Sequence, residues 1–194
     1  LAKTLAFTVP AVFAIIAVLL LSTYRSLRAA VAALLTVAMA LTLTVATAVL
    51  LRIEFNLVTA IVPPLVITIG LSYSIHMLSA YFLSFQMLPQ AAPRERVEWV
   101  MNRIATGLTL SGVTTVVGFL SLWLNPLPAV RSFAVLASIG TVYVGLLTLV
   151  FMPTLLSALG CSRRGSLFGE RLFARWGERL AAFDTRWRMQ IIGV

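Results

Sequence analysis

Ser72, Tyr73 and His76 are the side chains whose types and spacing could do chemistry in this chain. They lie in the stretch 63–81, PPLVITIGLSYSIHMLSAY, which is apolar and long enough to cross a bilayer. The stretch also carries a proline pair, Gly70, three neighbouring hydroxyls and the only histidine. Ser72 and His76 are four apart and share a helix face. Imidazole is the side chain that exchanges protons near neutral pH, and hydroxyls can relay them or bind a passing solute. A second hydroxyl pair, Thr114 and Thr115, could meet that face from another helix. These five residues are the candidates for a proton relay or for contact with a substrate. The plain alternative is that the hydroxyls bond back to their own helix carbonyls. His76 would then be solvated near the cytoplasmic end of its span. Gly70, Gly112, Gly118 and Gly140 are read as notches where helices pack closely.

Other chemistries are poorly supported. One His and one Cys cannot build a zinc site, and a lone Cys161 forms no internal disulfide. There is no GxxxxGK[ST] loop to cradle a nucleotide. The sole aspartate, Asp184, lies outside the apolar stretches, so no Ser/His/Asp set forms within a membrane. The expectation is no enzyme, no cofactor and no metal.

The elements that must position these residues follow from composition. The 194 residues are 60% hydrophobic and 11% charged. Soluble domains run near 45–50% apolar and about 25% charged. The reading is an all-α, polytopic transmembrane helix bundle within residues 1–160. Five spans are expected at about 8–24, 30–51, 57–82, 104–124 and 130–159. A short amphipathic surface helix is expected at 93–100, where Pro93 precedes alternating charges. Residues 161–188 place Phe168, Leu172, Trp176, Leu180, Phe183 and Trp187 at helical spacing among arginines. They read as a cytoplasmic amphipathic connecting helix. Residues 189–194 read as the start of a further span. The chain does not begin with Met, and the expectation is a piece of a larger protein.

Charge sets the orientation. With five spans, the connections 25–28, 84–103 and 160–188 share one side. That side holds twelve arginines, against Lys3, Arg52 and Arg131 on the other. Cytoplasmic loops are the ones enriched in Lys and Arg. The net charge of +9 is therefore read as topology, with no nucleic-acid partner expected. The expected location is a cell membrane, multi-pass, of the bacterial inner-membrane type.

Three ordered motifs carry a resemblance. Residues 69–76, IGLSYSIH, after Pro63 and Pro64, resemble the fourth-helix motif of the resistance–nodulation–division (RND) transporters. The similarity is to the MMPL, hopanoid-exporter and Patched-like branch, whose pattern is I-G-[VI]-D-[YF]-x-I-H. Residues 109–122, TLSGVTTVVGFLSL, resemble the fifth-helix pattern, and 133–156, ending Pro153-Thr154-Leu155-Leu156, the sixth. The short basic link 25–28 resembles that between helices two and three. The same five-helix unit is the sterol-sensing-domain arrangement. The resemblance implies helices two to six of a twelve-helix transporter made of two repeats, exporting lipids or other hydrophobic molecules on a proton gradient. It implies as partners membrane lipids, a hydrophobic substrate, a second transmembrane half and extracytoplasmic domains. An oligomer is compatible with it. Ser72 stands where that family carries its proton-bearing aspartate. Either the other half bears the carboxylate, or His76 substitutes, or the protein is a sterol- or lipid-sensing or scaffold module that does not transport.

Overall fold

The computed structural model describes residues 2–54 and 56–160. The expected connecting helix 161–188 and the start of a further span at 189–194 lie outside the described residues. The helices are α1 (Ala2–Tyr24), α2 (Leu27–Leu50), α3 (Val62–Met87), α4 (Pro93–Ser121), α5 (Pro128–Leu146) and α6 (Met152–Leu159). No strand occurs among the described residues. A π segment, Leu147–Phe151, joins α5 and α6 into one apolar span, Pro128–Leu159. Among the described residues four spans are long and apolar enough to cross a membrane: Leu27–Leu50, Thr59–Met87, Pro93–Leu124 and Pro128–Leu159. With α1 packed beside α2, the chain is an all-α polytopic membrane bundle.

The turns are set by local chemistry. Arg25 adopts a left-handed φ of 49°, and the Ser26 hydroxyl then accepts the Ala29 N–H at 3.4 Å to start α2. After α2, Asn56 Oδ1 accepts the N–H groups of Val58 and Thr59, each at 2.9 Å. This Asx turn leads through the short 3₁₀ segment Thr59–Ile61 into α3. Pro63 and Pro64 fall in the first turn of α3, where a missing N–H costs little. Between α4 and α5, Asn125 Oδ1 accepts the Leu127 N–H at 2.9 Å, and Arg131 Nε donates to the Asn125 carbonyl at 2.7 Å.

The basic end corrects one expectation. Residues 93–100 do not form a separate surface helix, because α4 runs unbroken from Pro93 to Ser121. The physical reason is Arg96. Its guanidinium is buried, donates to the Ser84 carbonyl at 3.0 Å and the Pro89 carbonyl at 2.9 Å, and lies 4.1 Å over the Phe85 ring. A charge satisfied internally has no need of a flat helix to keep it in water. The same contacts cap α3 and carry it on to Met87. Tyr24 stacks on Phe82 at 5.3 Å and Tyr81 meets Phe85 edge-on at 5.5 Å, which packs that end. Arg28 donates to the Leu159 carbonyl at 2.9 Å and so ties the start of α2 to the end of α6.

The bundle is organised around α3, which touches α1, α2, α4 and α5. Its neighbours approach through small residues. Ala29, Ala32, Ala33 and Ala40 of α2 are all buried. Small side chains let backbones come close, which is how membrane helices gain packing without a hydrophobic driving force.

Candidate functional site

The centre of the site is fixed by two close approaches. A Cβ on Gly140 of α5 would sit 2.5 Å from Val66 Cγ2 of α3 and 3.2 Å from Thr44 Oγ1 of α2. A Cβ on Gly70 of α3 would sit 3.0 Å from Val37 of α2 and 3.6 Å from Val144 of α5. Three helices therefore meet at each of these glycines. Gly112 is looser, its Cβ position lying 3.4 Å from the Tyr73 hydroxyl, and Gly118 has no neighbour within 4 Å. Gly118 is not a packing notch among the described helices.

This seating decides which way α3 turns. Val66, Gly70, Ser74, Met77 and Tyr81 recur at helical spacing and are buried, with Val66 set against α5 and Gly70 against α2 and α5. Ser72 and His76 consequently face outward and are exposed. Thr68 and Ser79 lie on the same exposed stripe. No hydrogen bond joins Ser72 or His76 to Thr114 or Thr115 among the described residues. Those threonines bond to their own helix instead: Thr114 to the carbonyls of Leu110 and Ser111 at 3.1 and 2.9 Å, and Thr115 to Ser111 at 2.8 Å. The helix α4 reaches α3 at Tyr73, one residue and about 100° further round from Ser72. The depth of His76 also differs from expectation. It is 14 residues from Val62 and 11 from Met87. At about 1.5 Å per residue, that is roughly 21 and 16 Å from the two ends of α3, near the middle of the helix rather than at its basic end. A polar stripe at this depth is stable only when covered by protein or lining a wet path.

Of the five candidate side chains, Tyr73 alone is buried. Its hydroxyl, the Ser74 hydroxyl and the Thr148 hydroxyl of the π segment are enclosed and have no hydrogen-bond partner among the described residues. Thr148 was not among the sequence candidates. The available signal was Pro153, five residues on, which disrupts the helix at that point.

Beside Tyr73, the α4–α5 seam opens into a groove of about 250 Å³. Its walls are formed by Leu108, Gly112 and Val116 of α4 with Thr141, Gly145 and Leu149 across from them. Further lining residues, including Val113, Val117, Val142 and Leu146, are exposed on the outer surface, so the groove opens towards lipid. Among the described residues no charged one lines it. A Cβ on Gly145 would meet nothing within 4 Å, so the absence of a side chain there widens the groove. Leu108 packs with Tyr73 in one apolar cluster and forms the back wall. Such a surface can hold an apolar body by area and shape and has no means of gripping a charged headgroup.

Among the described residues the carboxylates are Glu54, Glu95 and Glu98, which sit in the α2–α3 connection and the first two turns of α4. None lies at mid-membrane depth.

Comparison with known proteins places these features in context. The family model described as the sterol-sensing domain of SREBP cleavage-activation matches residues 23–172, well over half of the chain. A protein of Methanocaldococcus jannaschii, described by its name as a membrane protein, is 26% identical over 142 residues. That match takes in 73% of this chain and 36% of the relative, so the chain spans about a third of the relative's length.

Proposed function

The chain belongs to the sterol-sensing-domain family, and on that premise we propose that it is the membrane module through which a larger RND-type exporter handles a lipid or similar hydrophobic molecule. The observation that carries this reading is the α4–α5 groove. It is open towards lipid, free of charge, and about 250 Å³ in volume. That is just below the usual range for small-molecule sites, and enough for part of a ring system or an acyl segment.

The exposed Ser72–His76 stripe supports the second part of the reading. A second transmembrane half, packed on α3, would cover it and supply the carboxylate that the middle of the described spans lacks. Proton coupling then belongs to the full-length protein, with Ser72 a neutral partner at the seam. A second reading is favoured by Ser72 itself. Serine does not titrate in the physiological range, so a module that binds lipid without pumping it is the alternative.

Binding is tested by titrating a fluorescent sterol or a fluorescent diacylglycerol into vesicles holding the protein. Gly145→Phe places a ring in the groove without a clash at its Cβ. It is expected to weaken saturable binding at least tenfold. Saturable binding that survives in Gly145→Phe would overturn the site. Export and sensing are separated by flux from vesicles under an imposed pH gradient, using the full-length protein. Gradient-dependent extraction supports the exporter, and binding without it supports the sensor.

A further inference from the structure

Ser74 of α3 and Thr148 of the π segment each carry a buried hydroxyl without a partner among the described residues, and the two elements touch. The two helices run parallel there, with the same spacing on each. Val66 meets Gly140, and four residues on Gly70 meets Val144. Four residues further, the register sets Ser74 against Thr148, where the π segment touches α3. Both residues are fully buried, at 0% exposure. Their hydroxyls find no partner among the described residues, although Thr36 and Thr44 of α2 and Ser138 and Thr141 of α5, also buried, bond to carbonyls four residues back at 2.7–2.8 Å.

The backbone at this point is also short of a donor. The Met152 N–H donates to the Leu147 carbonyl, five residues back, instead of to Thr148. The next residue in line is Pro153, which has no N–H. The Thr148 carbonyl thus loses both backbone donors that a helix would offer it. Single π turns of this kind recur at functional positions in helices. Freed carbonyls in membrane helices are re-satisfied by hydroxyls or by ordered water.

We propose that Ser74, Thr148 and the π segment form a buried site for a single water molecule between α3 and α5. Water fits because it both donates and accepts. It can donate to the Thr148 carbonyl and to one hydroxyl while accepting from the other, which matches the two to four bonds that buried waters make. A sodium-sized cation would face the same oxygens, but no carboxylate among the described residues reaches this depth to offset its desolvation. The site lies on the inward face of α3, away from Ser72 and His76, and it does not depend on a lipid occupying the groove. The bound water holds the break between α5 and α6 in its π register.

The test is magnetisation transfer from water to side-chain carbons, measured by solid-state NMR on the protein in bilayers. Ser74 and Thr148 are expected to receive water magnetisation several times faster than Thr36 and Thr141, which are equally buried but self-bonded. Equal, slow transfer to all four would overturn the proposal. The variants Ser74→Ala and Thr148→Val give an independent reading that needs no assignment of resonances. With a shared water, each lowers the melting temperature, and the double variant melts no lower than the worse single one. If each variant instead melts higher and the gains add, the hydroxyls had no guest and the proposal fails. A melting temperature that rises with sodium chloride but not with choline chloride would assign the site to a cation and overturn the water.

Discussion

Replacing Gly140 by alanine tests the three-helix junction on which the orientation of α3 depends. The new Cβ would lie 2.5 Å from Val66 Cγ2, with Thr44 Oγ1 and Cγ2 at 3.2 and 3.3 Å. Relief requires either α5 to move off or Val66 to turn. Val66 is fully buried and β-branched, with one favoured rotamer in a helix, so turning is closed to it. Overpacking of this kind costs roughly 1–3 kcal/mol. Alanine also gains up to about 1 kcal/mol of helix propensity over glycine. The same gain applies to Gly118→Ala, whose Cβ meets nothing within 4 Å. The difference between the two variants therefore isolates the steric part, at about 1–3 kcal/mol. The assay is equilibrium unfolding in mixed micelles followed by helix signal. Adding Val66→Ala to Gly140→Ala is expected to recover part of the loss. Equal stability of Gly140→Ala and Gly118→Ala would refute the junction.

Other predictions follow from the same contacts. Arg96→Ala removes two charged hydrogen bonds and the stacking on Phe85, and is expected to cost about 2–4 kcal/mol in the same unfolding assay. Arg96→Lys should recover less than half of that, since one ammonium cannot reproduce the planar fork. His76→Ala, at an exposed position, should leave the unfolding midpoint unchanged within about 0.5 kcal/mol. In the full-length protein, gradient-driven flux lost in His76→Ala would make His76 part of the proton path, and unchanged flux would place coupling in the other half. Arg28→Ala, which frees the carbonyls of Leu159 and Gly160 at an exposed end, should cost under about 1 kcal/mol by thermal unfolding.

The fold was largely legible in the sequence, and the facing of its helices was not. Span length and hydropathy are one-dimensional, so the helical cores lay open to reading. The register of α3 was set by contacts between distant residues. Gly70 and Gly140 were visible as small residues, but their match to Val37 and Val66 depends on how three helices cross. Ser72 and His76 drew attention as the polar pair, yet the buried face follows Gly70 to Ser74 and Met77. Arg96 misled for a related reason. A charge on an amphipathic helix reads as solvated until the carbonyls that accept from it, at Ser84 and Pro89, are seen to converge on it. The α4–α5 groove has no sequence signature, because it is made of the same valines, leucines and glycines that elsewhere fill a seam.

The most direct test of the account is to map where a lipid sits. The protein would be labelled in vesicles with a photoreactive sterol and, separately, a photoreactive diacylglycerol, then digested and sequenced by mass spectrometry. The account predicts that competable label concentrates on Leu108–Val117 of α4 and Thr141–Leu149 of the facing span, and disappears in Gly145→Phe. Label spread evenly over the exposed faces of α1, α2 and α4, unaffected by Gly145→Phe, would contradict it.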